Sequence, residues 1–178
     1  MTPPPAKPAW SVPVRRDNVP ETGLHLDLVA DEATRAAVAR AAGVVAVREL
    51  TARLAVVRQG KGLRATGEVM ARVEQTCVVT LEPMQSDIRE PIDVVFVPPG
   101  AVVRKDEPVE DVDPTAADET EPLVDGVADV AAVATEFLLL AIDPYPRKPG
   151  AVFDAPAADD PGAHPFAALA ALKKPPGD

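Results

Sequence analysis

Only 3% of this 178-residue chain is aromatic, one residue is cysteine and two are histidine. Each shortage removes a class of chemistry. A single cysteine cannot form an internal disulfide, which fits a reducing compartment. His25 and His164 stand far apart, and neither has a Cys, His or carboxylate at metal-ligand spacing, so no metal site is expected. His25 alternates with Leu24 and Leu26 and reads as an exposed strand residue. Also missing are a glycine-rich phosphate loop, a Gly-x-Ser-x-Gly turn and a nucleophile beside a base. Glu82 and Asp87 are near enough to suggest a pair of catalytic carboxylates, but they flank a turn, where acids serve solvation and capping. No catalytic residue and no cofactor is expected, and the chain does not read as an enzyme. No apolar run reaches the roughly 18 residues that a bilayer requires. The opening MTPPPAKPAW has neither the apolar stretch of a signal peptide nor the Arg/Ser-rich pattern of a transit peptide. The expected location is the cytoplasm, with no membrane contact.

What is present is proline, acid and alternation. Twenty-one prolines stand against ten glycines, and the net charge is −10, so part of the chain is extended and acidic rather than packed. The charge divides unevenly, with +3 over residues 1–80 and −13 over residues 81–178. Half of the positions in DEPVEDVDPTAADETE, Asp106 to Glu121, are acidic and none is basic. That run reads as a solvated, disordered loop within 104–122, with too little apolar surface to offset the entropy of ordering. Its alternative reading is a flap that competes with nucleic acid for a basic face. The remaining boundaries are a flexible N-terminus over 1–9, one domain over 10–149, a linker over 150–164 and a short amphipathic helix, PFAALAALKK, over 165–174. At that length the helix is marginal alone, and it could dock on the domain or on a partner.

Inside the domain the periodicity is clear. Asp31 is placed to cap a helix, DEATRAAVARAA, that ends at Gly43. Val44 to Gln59 reads as a strand with Leu50, Ala52, Leu54 and Val56 on one face and Glu49, Thr51 and Arg53 on the other. After a turn at Gly60-Lys61-Gly62, Leu63, Ala65, Gly67, Val69, Ala71 and Val73 alternate with Arg64, Thr66, Glu68, Met70, Arg72 and Glu74. The two strands make a hairpin with one dry and one wet face. Further strands are expected at Trp10 to Val14, Leu24 to Val29 and Ile88 to Val97, the last with Pro91 at an edge or bulge. A helix follows the acidic loop, with Val127, Val130, Ala131, Ala134, Phe137, Leu138 and Ala141 as its apolar face, Asp125 near its start and Pro144 as its stop. The fold class is α+β, an antiparallel sheet of hairpin and meander type with helices packed on one face.

Cys77 belongs to the same alternating set as Val73 and Gln75, and Thr80 stands three residues beyond it. The plainest reading is a small, half-buried strand residue. A reactive thiol needs a basic neighbour, which only the fold can supply.

Three stretches together resemble the YceD family, the bacterial large ribosomal RNA subunit accumulation proteins. They are TGEVMARVEQTCVVTLEPMQSDIREPIDVVFVP, the helix ending EFLLLAIDPYPRKPG and the terminal PFAALAALKK. Cys77, Leu81, Glu82, Pro83, Glu136, Asp143, Pro144 and Tyr145 carry the motif, and many relatives have a second cysteine where Thr80 stands. The resemblance implies a non-enzymatic factor for accumulation of 23S ribosomal RNA and assembly of the large subunit. The partners it implies are 23S ribosomal RNA or a large-subunit precursor, and a small basic ribosomal protein, with no DNA.

The residues themselves leave two routes to such a role. Arg53, Arg64 and Arg72 share the wet face, and Arg15 and Arg16 add a nearby pair, so RNA phosphates could be met there. Equally, those arginines could pair with Glu49, Glu68 and Glu74 and simply keep the sheet soluble. No aromatic platform for base stacking lies on these strands. In the second route the chain is an acidic adaptor that holds a basic ribosomal protein without touching RNA.

Overall fold

A computed structural model describes residues 8–99 and 120–153. Residues 1–7 of the expected flexible N-terminus, most of the acidic loop, most of the linker with His164, and the 165–174 helix lie outside these residues; Ala9, assigned to that N-terminus, packs against the core. In chain order the elements are β1 (Pro13–Arg15), a 3₁₀ turn (Arg16–Asn18), β2 (Leu24–Val29), α1 (Glu32–Ala42), β3 (Ala46–Gln59), β4 (Gly62–Thr76), β5 (Pro83–Val97), β6 (Thr120–Pro122), β7 (Val127–Asp129) and α2 (Val130–Ala141).

The helix α1 forms where its capping signals place it. The Asp31 carboxylate accepts a hydrogen bond from the Thr34 N–H at 2.8 Å, and this bonding holds its carboxyl below the usual range. Gly43 closes the helix at φ 66°, a left-handed conformation that glycine takes without a side-chain clash.

Five strands form one sheet in the order β2-β3-β4-β5-β6, antiparallel except for the parallel pair β5-β6, and β1 pairs with β7 in a second, two-stranded sheet. Both helices pack on one side, giving the expected α+β class. Alternation decides that side. Leu50, Ala52, Leu54 and Val56 of β3, and Leu63, Ala65, Val69, Ala71 and Val73 of β4, are buried against Val38 of α1 and Val130, Ala134 and Leu138 of α2. Burying these side chains, at about 1.5–3 kcal/mol for each valine or leucine and less for each alanine, is the main force holding the layers together.

Several boundaries differ from the sequence reading. The first strand is Pro13–Arg15 rather than Trp10 to Val14, and Trp10 instead enters the core at 7% exposure. β3 starts at Ala46, two residues late, and β5 starts at Pro83 rather than Ile88, because Thr76 pairs with Pro83 across the loop. Pro91 does stand at an edge, since β6 covers only Val95 to Val97. Residues 120–122, assigned to the acidic loop, form β6. Val127 lies in β7, and the cap of α2 is Asp129, not Asp125. Asp125 and Gly126 instead make a two-residue turn with positive φ at both positions, the conformation that an Asp-Gly pair favours between short strands. Asp129 also accepts from Ser11 Oγ at 2.5 Å and from the Val12 N–H at 2.9 Å, so one carboxylate ties the N-terminal segment to the start of α2.

Gly67 sits within β4 opposite Leu54, at φ 153°, and a Cβ there would run into the Arg53 carbonyl. Gly67→Ala is therefore expected to lower stability by about 2 kcal/mol or more, read as a lower urea midpoint. An unchanged midpoint would mean that β3 and β4 can part locally at no cost.

Candidate functional site

The wet face of the sheet is built from rows of cross-strand neighbours, and register fixes which charges meet. Arg72 faces Glu49 on β3 and Asp87 on β5, and bonds both, at 3.0 and 2.8 Å. Arg64 reaches diagonally to Asp93 in a two-pronged pair at 2.8 and 2.6 Å, the planar fork matching both carboxylate oxygens. Hydrogen bonding to these acids pushes both guanidiniums above their ordinary range. Arg53 lies 3.8 Å from Asp27 of β2, Arg89 pairs with Glu68, and Arg48 pairs with Glu74. The three wet-face candidates thus each have a carboxylate beside them. Glu49 is the one partner named in the sequence reading that they meet; Glu68 and Glu74 take Arg89 and Arg48, which that reading did not single out.

At the β3–β4 turn the arrangement is different. Arg58 donates to the carbonyls of Arg16 at 3.2 Å and Asp17 at 2.9 Å, and Arg16 donates from Nη2 to the Gly60 carbonyl at 2.9 Å. A carbonyl orients a guanidinium without cancelling its charge, whereas a carboxylate does both. Arg15 and Lys61 are exposed beside this pair, with no ion pair among the described residues. Asp17, 87% exposed and 3.7 Å from Arg16 Nη1, is the carboxylate within ion-pair distance. Arg16 Nε is buried with no partner among the described residues. Of this basic tip, sequence reading found Arg15 and Arg16 and missed Arg58 and Lys61. The available signal was position, since Arg58 and Lys61 flank the Gly60 turn.

The motif around Cys77 gathers at the other end of β4. Cys77 is fully buried, and its sulfur accepts the N–H of Thr80 at 3.5 Å and of Lys148 at 3.4 Å. Thr80's side chain also bonds it, and these donors bring the thiol down from 9.0 to about 6. The loop is further closed by Cys77 N–H to the Glu82 carbonyl and Leu81 N–H to the Cys77 carbonyl, both 2.9 Å. Bonds to the segment after α2 complete the clasp. Val78 N–H meets the Pro146 carbonyl at 2.9 Å, Lys148 Nζ meets Glu82 at 2.7 Å, and Gln75 Nε2 meets the Asp143 carbonyl at 2.8 Å. The Lys148 ammonium in turn holds the Glu82 carboxyl below its usual range.

Cys77 and Glu82 are thereby fastened to Lys148, and their neighbours Gln75 and Val78 to Asp143 and Pro146, across more than sixty positions of sequence, with Pro144 and Tyr145 lying between those contact points. Glu136 is exposed on α2, and no bond joins it to the loop among the described residues. Lys148, the residue that closes the clasp, carries no sequence signal of that role, because its main-chain N–H is what binds sulfur. The described residues hold no group of three or more His, Cys, Asp or Glu side chains able to bind a metal, and no helix long and apolar enough to cross a membrane.

Among known families, the model described as "Large ribosomal RNA subunit accumulation protein YceD" matches residues 65–173, more than half of the chain. No curated protein and no solved structure matches it.

Because the folded thiol releases its proton about three pH units below the unfolded one, the chain should gain stability as pH rises from about 6 to about 9. In that window the unfolded state binds the extra proton, which sets the sign. Urea titrations across the window check this against Cys77→Ser, where that gain should vanish; equal slopes in both proteins would show that the sulfur is not held as a thiolate.

Proposed function

Because the chain belongs to the YceD family of large ribosomal RNA subunit accumulation proteins, we propose that it is a non-enzymatic, cytoplasmic factor that supports 23S ribosomal RNA accumulation and large-subunit assembly by touching the RNA itself. The contact is assigned to the basic tip, Arg15, Arg16, Arg58 and Lys61. One observation carries this reading: Arg58 is held by main-chain carbonyls, so its charge is oriented yet left available to a phosphate. Arg53, Arg64 and Arg72 are poorer candidates, since a phosphate would have to displace Asp27, Asp93, or Glu49 and Asp87. The tip precedes the residues matched by the family, so its role rests on this chain's own geometry.

A tip with few cations on a protein of net charge −10 implies modest, salt-sensitive affinity that reads backbone rather than sequence. The adaptor reading, in which the acidic half holds a small basic ribosomal protein, needs no RNA contact.

Replacing Arg15, Arg58 and Lys61 with Gln should weaken binding to transcribed 23S ribosomal RNA and lower the slope of log affinity against log salt by about one per residue. Replacing Arg53 and Arg72 with Gln should leave the slope unchanged. Equal slopes for wild type and the tip variant would remove the RNA contact and leave the adaptor, whose mark is capture of a basic ribosomal protein in the absence of RNA.

A further inference from the structure

The clasp end of the molecule leaves large apolar side chains in water. Leu81 is 76% exposed and Val78 43%, both in the β4–β5 loop; Tyr145 and Phe153, beyond α2, are each 71% exposed, and Leu140 in the last turn of α2 is 85% exposed. Single exposed apolar residues are ordinary, but here the two segments that carry most of them are fastened together by Cys77, Lys148 and Pro146. Leu81 adds a second oddity. It holds φ at 58°, where a glycine would sit without strain, and yet its side chain is neither buried nor bonded within the loop. The loop's own geometry gives no reason for leucine there; a covering element would.

The place where the described residues stop points to that element. They stop at Phe153, five positions beyond Lys148 of the clasp, and eleven residues separate it from Pro165. At most about 3.5 Å per residue, that stretch reaches roughly 40 Å, enough to return to any point on this end of the molecule. PFAALAALKK repeats Phe166, Leu169 and Leu172 at intervals of three, a narrow apolar stripe too short to persist as a helix without a surface to rest on. The family match runs to residue 173, so this segment belongs to the same family pattern as the sheet and α2. The exposed carboxylates of Glu136 and Asp143, on α2 and just past its end, offer opposite charge to Lys173 and Lys174.

We propose that residues Pro165–Lys174 fold back as a helix onto the apolar surface made by Val78, Leu81, Tyr145 and Phe153, with Leu140 at its rim. The clasp is then a docking floor for the chain's own end. This inference is independent of the RNA contact, which lies at the other end of β4.

Photo-crosslinking in the full chain tests it, with p-benzoylphenylalanine in place of Phe166 and the adducts mapped by mass spectrometry. The expected adducts lie within one chain, on peptides containing Val78 to Leu81 or Leu140 to Phe153, in a yield that does not change on dilution. Leu81→Asp, at an exposed position that leaves the core intact, and Leu169→Asp should each cut the yield about tenfold. Three outcomes overturn the proposal. Adducts elsewhere or none at all would leave the floor uncovered by this segment. Adducts between chains that grow with concentration would assign the surface to a second copy, and adducts that form only after a ribosomal fraction is added would assign it to a partner.

Discussion

β4 pairs along its whole length, with β3 on one side and β5 on the other, and the rest of the structure is referred to that double pairing. From Leu63 to Gln75 the alternation, interrupted only at the exposed Gly67, sends every second side chain into the helix-covered layer and the others toward water. A slip of one residue would reverse both faces at once, exposing Val69 and Val73 and burying Arg72 and Glu74. Gly67 is the point where the constraint is tightest, because the Arg53 carbonyl occupies the space that any other side chain would need.

What the sequence made legible follows the reach of each signal. Helix α1 was readable at both ends because Asp31 and Gly43 act on their own neighbours. The faces of β3 and β4 were readable because a period of two needs no knowledge of the partner strand. Asp125 stands where a helix start is expected, but Asp-Gly is also a turn signal, and the turn prevails because Val124 and Val127 bridge across it. The arginine face was legible as a face but not as a charge. Whether Arg72 stands free depends on Asp87 arriving beside it from another strand, and that is a matter of register rather than residue type. Cys77 shows the same limit, with its second amide donor 71 positions away in Lys148.

Two ends of unlike character result. At about 3.3 Å per residue, β4 sets the Gly60 turn and the Cys77 loop about 45 Å apart. One end gathers guanidiniums oriented by carbonyls; the other gathers apolar side chains around a sulfur that accepts hydrogen bonds from two segments. Cation and apolar surface would interfere if mixed, since each favours a different partner and a different solvent response. Separation along one stiff strand keeps the cations of one end clear of the apolar side chains of the other.

The outer margin of β5 has its own consequence. Among the described residues, Pro83 to Val94 have no strand on their far side, a length of backbone that could zip onto another newly made chain. Glu90 points into the helix-covered layer on that margin, and Pro91 offers no N–H. A sister chain adding there would have to desolvate a carboxylate and forgo a rung. Those two residues therefore weigh against edge-to-edge joining of sheets from sister chains.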